Sequence, residues 1–194
     1  MNPSIDTTNI VIETERLILR AFRSTDLHDF NAYASVPGVG EAAGWPHHRS
    51  VEATKLILDS FLQKKENFAI YHKADKKVIG SLGMRLAWSS KNDKYKHLKA
   101  KELGYVLSKD YWGRGLVPEA VNAVVDYAFN VMGLDAVCTA HFGENLQSRR
   151  VAEKCGFTYV ETGTYHAKHF NRTYDDVRYI MLSPLYKSAQ SAGS

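Results

Sequence analysis

The sequence predicts a mixed α/β fold in a single domain. The chain has 194 residues, of which 44% are hydrophobic and 24% charged, the balance of a globular protein with one core. β-Rich runs such as 78–88 are interspersed with stretches of helical periodicity, of which 118–132 is the most regular. We expect residues 11–187 to form the domain, with 1–10 as an N-terminal extension and 188–194 as a flexible tail.

The first half of the chain is expected to supply three strands and two helices. In chain order these are a strand at 11–20 with an irregularity near Thr14, a helix starting at Ser24 and ended by Pro37 and Gly38, a helix capped by Ser50, and a hairpin of strands 68–72 and 78–88. The loop 44–48, which reads GWPHH, is rich in residues that break regular structure. We treat this loop as a candidate site element.

The second half alternates strands and helices. The expected elements are a strand at 102–107, a helix at 118–132 stopped by Gly133, a strand at 136–140, a helix capped by Asn145 and ended by Gly156, and strands at 157–160 and 177–182. The intervening basic stretch 91–101 carries five lysines and is expected to be a solvated loop.

The most informative block is 102–120, ELGYVLSKDYWGRGLVPEA, in which a glycine-containing loop joins a strand to a helix. Backbone N–H groups at such a junction are unpaired, and the helix dipole adds partial positive charge, so the junction favours an anion. Gly113 and Gly115 allow the backbone to approach a phosphate closely. The block lacks the lysine of a P-loop and the third glycine of a dinucleotide fingerprint, which argues against ATP and NAD.

Together with ENLQSRRVAEKCGF at 144–157, this block resembles the GNAT acetyltransferases. The YWGRG loop followed by Glu119-Ala120 is similar to the branch of ribosomal-protein alanine N-acetyltransferases (RimJ/RimL-like), and weaker similarity extends from 14–20 to 175–182. The resemblance implies a central, mostly antiparallel twisted sheet with a splayed central strand pair, flanked by helices.

The resemblance also implies that the chain binds acetyl-CoA as its co-substrate. The expected contacts to coenzyme A are Val106, Leu107, Ser108, Trp112, Gly113, Arg114, Gly115, Leu116, Val117, Asn145, Ser148 and Arg149. Trp112 departs from the family pattern, which has Gln or Arg there. Asn145 can cap its helix, contact the pantetheine arm or do both, and the alternative for Arg114 and Arg149 is plain solvation.

For catalysis, Glu102 matches the position of a general base in several GNAT members. The alternative for Glu102 is surface pairing with Lys101, and Glu161 and His166 are weaker candidates for the base. The family's thiolate-protonating tyrosine is replaced by Ala152, so we expect Ser148 to take this role, with a bound water as its rival. The carbonyl oxygen is expected to be polarised by a backbone N–H near Leu107.

The acceptor pocket is expected to be lined by Trp45, His47, Trp88 and Tyr105. Two adjacent histidines without further spaced ligands are poor evidence for a metal, so no metal is expected. The leading hypothesis is transfer of an acetyl group to the N-terminal α-amine of a protein or peptide. The alternatives are a small amine, such as a polyamine, amino acid or antibiotic, and a coenzyme A-binding sensor without turnover.

The net charge of +4 also fits a nucleic-acid binder, but Tyr95 is the only aromatic residue of the basic stretch, so we expect no direct nucleic-acid contact. Two distant cysteines and the absence of a long apolar run predict a cytoplasmic protein without membrane contact. A monomer and a homodimer are both compatible with the sequence.

Overall fold

The structure, a computed structural model, describes residues 3–192 and contains one eight-stranded sheet. The strands are β1 Val11–Glu13, β2 Leu17–Ala21, β3 Asn67–His72, β4 Lys77–Leu86, β5 Ala100–Leu107, β6 Ala136–Phe142, β7 Thr158–Ala167 and β8 Arg172–Leu182. Their spatial order is β1-β2-β3-β4-β5-β6-β8-β7, and every neighbouring pair is antiparallel except β5–β6. The predicted mixed fold with a mostly antiparallel sheet is confirmed.

Helices cover both faces of this sheet. They are α1 Leu27–Ala34, α2 Val51–Lys64, α3 Leu116–Asn130, α4 Leu146–Lys154 and α5 Pro184–Ala192. The apolar sides of α3 and α4 pack with β2–β6 in the largest core cluster, while α1 and α2 pack on the opposite face in a second cluster. The predicted caps of α2 and α4 are observed, since the side chains of Ser50 and Asn145 accept from backbone N–H groups, whereas α1 begins at Leu27 after Asp26 and not at Ser24.

The central strand pair is splayed, as predicted. Strands β5 and β6 pair in parallel only from Ala100↔Ala136 to Leu103↔Thr139, after which β5 continues along β4 without β6. The pairing of β5 with β4 is uninterrupted, so the opening arises from divergence of β6 and not from a bulge against β4. A wedge-shaped gap therefore opens between residues 104–107 and 140–142.

Several elements differ from the sequence prediction. Strands β7 and β8 are much longer than expected because their outer halves are polar and exposed, and so lack an apolar alternation. Helix α3 starts at Leu116, which places Pro118 in its third position. Lys101, expected in a solvated loop, belongs to β5 and is only 1% exposed, with its Nζ 3.9 Å from Glu66.

The predicted N-terminal extension packs against the domain, and the predicted tail is partly helical. Ile5 and Ile10 pack against the core, and the buried Thr7 donates its backbone N–H to the Lys65 carbonyl. Helix α5 includes part of the predicted tail, whose last two residues, 193 and 194, lie outside the described residues, as do residues 1 and 2 of the predicted extension. Within residues 3–192, no helix has the length and apolar character needed to cross a membrane.

Candidate active site

The glycine loop presents unused backbone donors at the start of α3. Gly113 and Gly115 both have φ = 75°, a left-handed conformation that favours glycine. Among the described residues, no hydrogen bond is formed by the backbone N–H groups of residues 113–117, and Pro118 has none to offer. This arrangement fits the pyrophosphate of coenzyme A, because unpaired donors and the helix dipole both favour an anion.

Glu119, in the first turn of α3, ties this loop to the start of the sheet. Its carboxylate accepts hydrogen bonds from the Thr14 hydroxyl, from the Arg16 backbone N–H at 2.9 Å and from Arg16 Nε at 2.7 Å. Arg16 Nη1 in turn donates to the Arg114 carbonyl at 2.9 Å. Although burial opposes ionisation, these hydrogen bonds lower the pKa of Glu119, so the carboxylate is charged and holds the loop in place.

A cleft of about 1260 Å³ occupies the splay and is lined by residues from both faces of the sheet. Ser108 donates its N–H to the Ile79 carbonyl on β4 and its carbonyl accepts from the Tyr111 N–H, so its backbone N–H is not free to bind coenzyme A. Because backbone groups alternate along a strand, Val106 also faces β4, while the Leu107 N–H points into the splay. The Leu107 carbonyl accepts from the Trp112 indole at 2.8 Å, which gives Trp112 a structural contact.

Some of the side chains predicted to contact coenzyme A line the cleft, and others lie outside its lining. Asn145 and Ser148 line it, but both polar atoms of the Asn145 side chain are engaged, with the Ser148 N–H and with the Ala42 carbonyl. Arg149 lies outside the cleft lining and pairs with Glu153 at 2.8 Å. Arg114, also outside the lining, rests on the Tyr111 ring. The predicted contact from Arg149 is therefore not supported by its position.

Tyr105 faces α4 and not the acceptor side where it was expected. Its hydroxyl lies 2.9 Å from Ser148 Oγ, one turn before Ala152, the position that lacks the family's tyrosine. Burial raises the pKa of Tyr105 to about 12, so the phenol keeps its proton at neutral pH. A phenol is thus present in the cleft, although it comes from β5 instead of α4.

Sequence reasoning missed His141, which lines the cleft on β6 and is 7% exposed. Its Nδ1 lies 2.8 Å from the Phe142 carbonyl, which can only accept, so Nδ1 carries a proton. Within the described part of the chain, its buried Nε2 has no hydrogen-bond partner. A ligand N–H in the cleft would satisfy this acceptor. The only signal in the sequence that could have pointed to His141 is its position shortly before the Asn145 cap.

Glu102 lies on the other face of β5 and lines the acceptor end of the cleft. Its carboxylate accepts from the Trp88 backbone N–H at 2.9 Å, and burial raises its pKa, which makes it a stronger base than an exposed glutamate. The alternative pairing with Lys101 is not seen, since Lys101 approaches Glu66. The weaker candidates Glu161 and His166 lie outside the cleft lining.

The acceptor end brings together some of the predicted pocket residues. Trp45 and His47 line it, and His47 pairs with Glu41 at 2.8 Å. Trp88 does not line it: this residue is buried in a separate apolar cluster, and only its backbone reaches Glu102. The prediction for the Trp88 side chain was wrong because the strand ends at Leu86 and the indole turns inward. Across residues 3–192, no cluster of His, Cys, Asp and Glu is arranged to hold a metal ion.

Comparison with known proteins agrees with this geometry. The sequence profile of the family described as "Acetyltransferase (GNAT) domain" matches residues 16–158. An uncharacterized N-acetyltransferase of Bacillus subtilis is 29% identical over 152 residues, which are 76% of this chain and 82% of that protein.

Two solved structures share the fold. A GNAT-family acetyltransferase of Bacillus anthracis has a TM-score of 0.77 at 23% identity, covering 89% of this chain and 98% of the other. The ribosomal-protein-S5-alanine acetyltransferase of Vibrio fischeri has a TM-score of 0.69 at 20% identity, covering 92% and 99%. With its glycine loop, splayed strands and sequence match, the chain belongs to the GNAT acetyltransferase family and is an acetyl-CoA-dependent N-acetyltransferase.

Proposed function

We propose that the chain acetylates the N-terminal α-amine of a protein or peptide by direct attack on acetyl-CoA in a ternary complex. The observation that carries the proposal is the two-sided cleft. The glycine loop and His141 serve one side, and Glu102 lies on the other side beneath an open mouth. Both substrates can therefore meet at the splay without a covalent intermediate on the protein.

The rim of the acceptor side favours a peptide. Leu56 and Ile57 of α2 line the mouth while being 72% and 41% exposed, next to Trp45. Such exposed apolar side chains offer surface to the residues that follow a reactive N-terminus. An α-amine with a pKa of about 8 is also neutral in roughly one molecule in ten at pH 7, against fewer than one in a thousand for lysine.

The residues around the splay have distinct proposed roles. Glu102 accepts the proton of the attacking amine, directly or through water. The Leu107 N–H points to where the thioester carbonyl would lie and would stabilise its developing negative charge. Tyr105 and Ser148 supply hydroxyl groups toward the thiol. Because the pKa of Tyr105 is about 12, it serves as a hydrogen-bond donor to a thiolate rather than as a complete acid.

The test is thiol release from acetyl-CoA with short peptides bearing free alanine, serine or methionine N-termini. Their N-blocked forms are the controls, and common small amines form a second panel. Turnover confined to free N-termini is expected. Activity only with small amines would replace the proposal with the small-amine alternative. Tight binding of acetyl-CoA with no turnover on any acceptor would favour a coenzyme A sensor.

The small-amine alternative has a structural neighbour of its own. The spermidine N-acetyltransferase of Vibrio cholerae, solved with CoA and spermine, has a TM-score of 0.70 at 18% identity, covering 90% of this chain and 99% of the other. Since the ribosomal-protein enzyme is equally similar in fold, overall shape does not separate the two acceptor classes, and charge in the cleft becomes the relevant feature.

A further inference from the structure

Most charged groups around the acceptor end of the cleft are already paired. Arg178 on β8 donates to both Glu161 at 2.9 Å and Asp176 at 2.8 Å, and Glu41 contacts His47. Arg178 is shared by two carboxylates and Glu41 binds a histidine, whereas Glu102 lies there without a cationic partner within ion-pair distance.

Arg85 is a nearby cation that lies outside ion-pair distance of any described carboxylate, although its charge acts on Glu102 and, against the burial that raises the pKa of that carboxyl, works to lower it. It projects from β4 directly opposite Glu102 in the sheet register, and cross-strand partners have Cβ atoms about 4.5–5.5 Å apart. Among the described residues, its guanidinium makes no ion pair, side-chain hydrogen bond or aromatic contact, although it is exposed and lines the cleft. The Glu102 carboxylate is engaged by the Trp88 N–H instead.

Two glycines, one of them covered by the Asn67 side chain, lie beside this guanidinium. Gly83 and Gly104 face each other across β4 and β5 on the same side of the sheet as Arg85. A Cβ on Gly104 would lie 3.9 Å from Arg85 Cζ, and one on Gly83 would lie 3.6 Å from Arg85 Nε. Asn67 Oδ1 lies 2.6 Å from the same Gly83 Cβ position, so the floor of the acceptor site is the backbone at Gly104 together with the Asn67 amide, flanked by one carboxylate and one guanidinium.

We propose that the acceptor carries a carboxylate close to its reactive amine and that Arg85 binds this carboxylate while Glu102 receives the amine. The proposal rests on the proposed acetyl transfer to an amine and narrows its acceptor class. A guanidinium binds a carboxylate through two parallel hydrogen bonds, which fixes orientation as well as charge. The carboxylate has two possible sources, the acidic side chain of a peptide's first or second residue and the α-carboxylate of a free amino acid.

The same charges disfavour a polyamine. A polyamine brings several positive charges, and it would meet Arg85 and the equally unpaired, exposed Arg49 at the mouth of the cleft. Like charges in a partly desolvated cleft repel, so a second ammonium group placed beside Arg85 or Arg49 is disfavoured. Spermidine is therefore expected to be a poor acceptor.

The experiment compares kcat/KM for matched acceptors that differ only in a carboxylate. The peptide arm uses Ala-Asp- and Ala-Asn-peptides of otherwise identical sequence, and the amino-acid arm uses alanine and alaninamide. Spermidine is included as the cationic probe. In the wild-type protein, the Asp peptide is expected to be preferred over the Asn peptide by about tenfold or more. In Arg85→Gln this ratio is expected to fall to near one, mainly through a rise in KM for the acidic peptide.

The ratio of kcat/KM between two matched acceptors separates recognition of the carboxylate from an indirect effect of Arg85 on catalysis. Removing the Arg85 charge also alters Glu102, but that change acts on both members of a pair and leaves their ratio unchanged. Arg85→Lys is expected to restore part of the preference. Arg23→Gln removes a positive charge from an exposed site outside the cleft lining and is expected to retain the full ratio.

Each outcome decides the proposal. A wild-type ratio near one, or a ratio that survives Arg85→Gln, would overturn it while leaving peptide acetylation intact. An Arg85-dependent preference seen only in the amino-acid arm would support the carboxylate site and refute the peptide acceptor. Efficient spermidine turnover, or silence of every acceptor, would overturn both.

Discussion

Replacing Glu119 with alanine tests how the glycine loop is held. The variant removes Glu119 Oε1, which accepts hydrogen bonds from the partly buried Thr14 hydroxyl and Arg16 backbone N–H. It also removes the close ion pair between Glu119 Oε2 and the Arg16 side chain. Hydrogen bonds to a charged group contribute about 1.5–3 kcal/mol each, and an ion pair with an exposed arginine adds at most about 1. Because both hydrogen bonds are only partly buried, we expect the lower end of this sum, about 3–4 kcal/mol, which lowers the Tm by roughly 6–16 °C for a chain of this size.

The assay is thermal unfolding with and without acetyl-CoA. Glu153→Ala is the matched control, because its pair with Arg149 is exposed at both ends and should contribute less than about 1 kcal/mol. Since Arg16 also holds the Arg114 carbonyl, Glu119→Ala should reduce the rise in Tm caused by acetyl-CoA as well. A Tm within the range of the Glu153 control, or an unchanged ligand-induced rise, would refute the reasoning.

The same contact predicts a pH dependence. The folded-state pKa of Glu119 is lowered, so its stabilisation is fully present above its unfolded pKa, about 4.3, and is lost as the pH falls through the folded value. The difference in Tm between the wild type and Glu119→Gln should therefore be large at pH 7 and narrow in acid. A difference that is constant with pH would exclude a role for the charge.

Three further predictions concern the cleft. Glu102→Gln should lower kcat by about 100-fold or more and remove the acidic limb of the pH–rate profile. In the wild type this limb should lie above pH 4.5, because burial raises the pKa of Glu102. An unchanged profile in the variant would exclude Glu102 as the base. His141→Phe should keep the stack on Tyr179 and the unliganded Tm while weakening acetyl-CoA binding in calorimetry, whereas unchanged affinity would leave Nε2 without a ligand role. Asn145→Ala should cost about 2 kcal/mol in denaturant unfolding, and Asn145→Asp, which keeps the cap but not the donor to Ala42, about half of that; equal losses would contradict the separation.

Local patterns were sufficient for the part of the site built from contiguous residues. The glycine loop, helix α3 and the Asn145 cap are all read from neighbouring residues, because left-handed glycines, helix dipoles and caps act over a few positions. Family resemblance added the splayed strands and the cleft. It also matched Glu102 to a general-base position, but not to the groups that surround it.

The sequence by itself determined the fold class, the glycine loop with its helix and, through family resemblance, the acetyl-transfer chemistry. Only the tertiary structure decided the partners: Glu119 holds Arg16 across 103 positions, and Arg85 stands beside Glu102 unpaired. It also moved Trp88 into a core cluster and engaged Ser108 and Arg149 elsewhere. The physical reason is that ion pairing, burial and unsatisfied polar atoms depend on residues brought together from distant strands, and no local periodicity encodes those contacts.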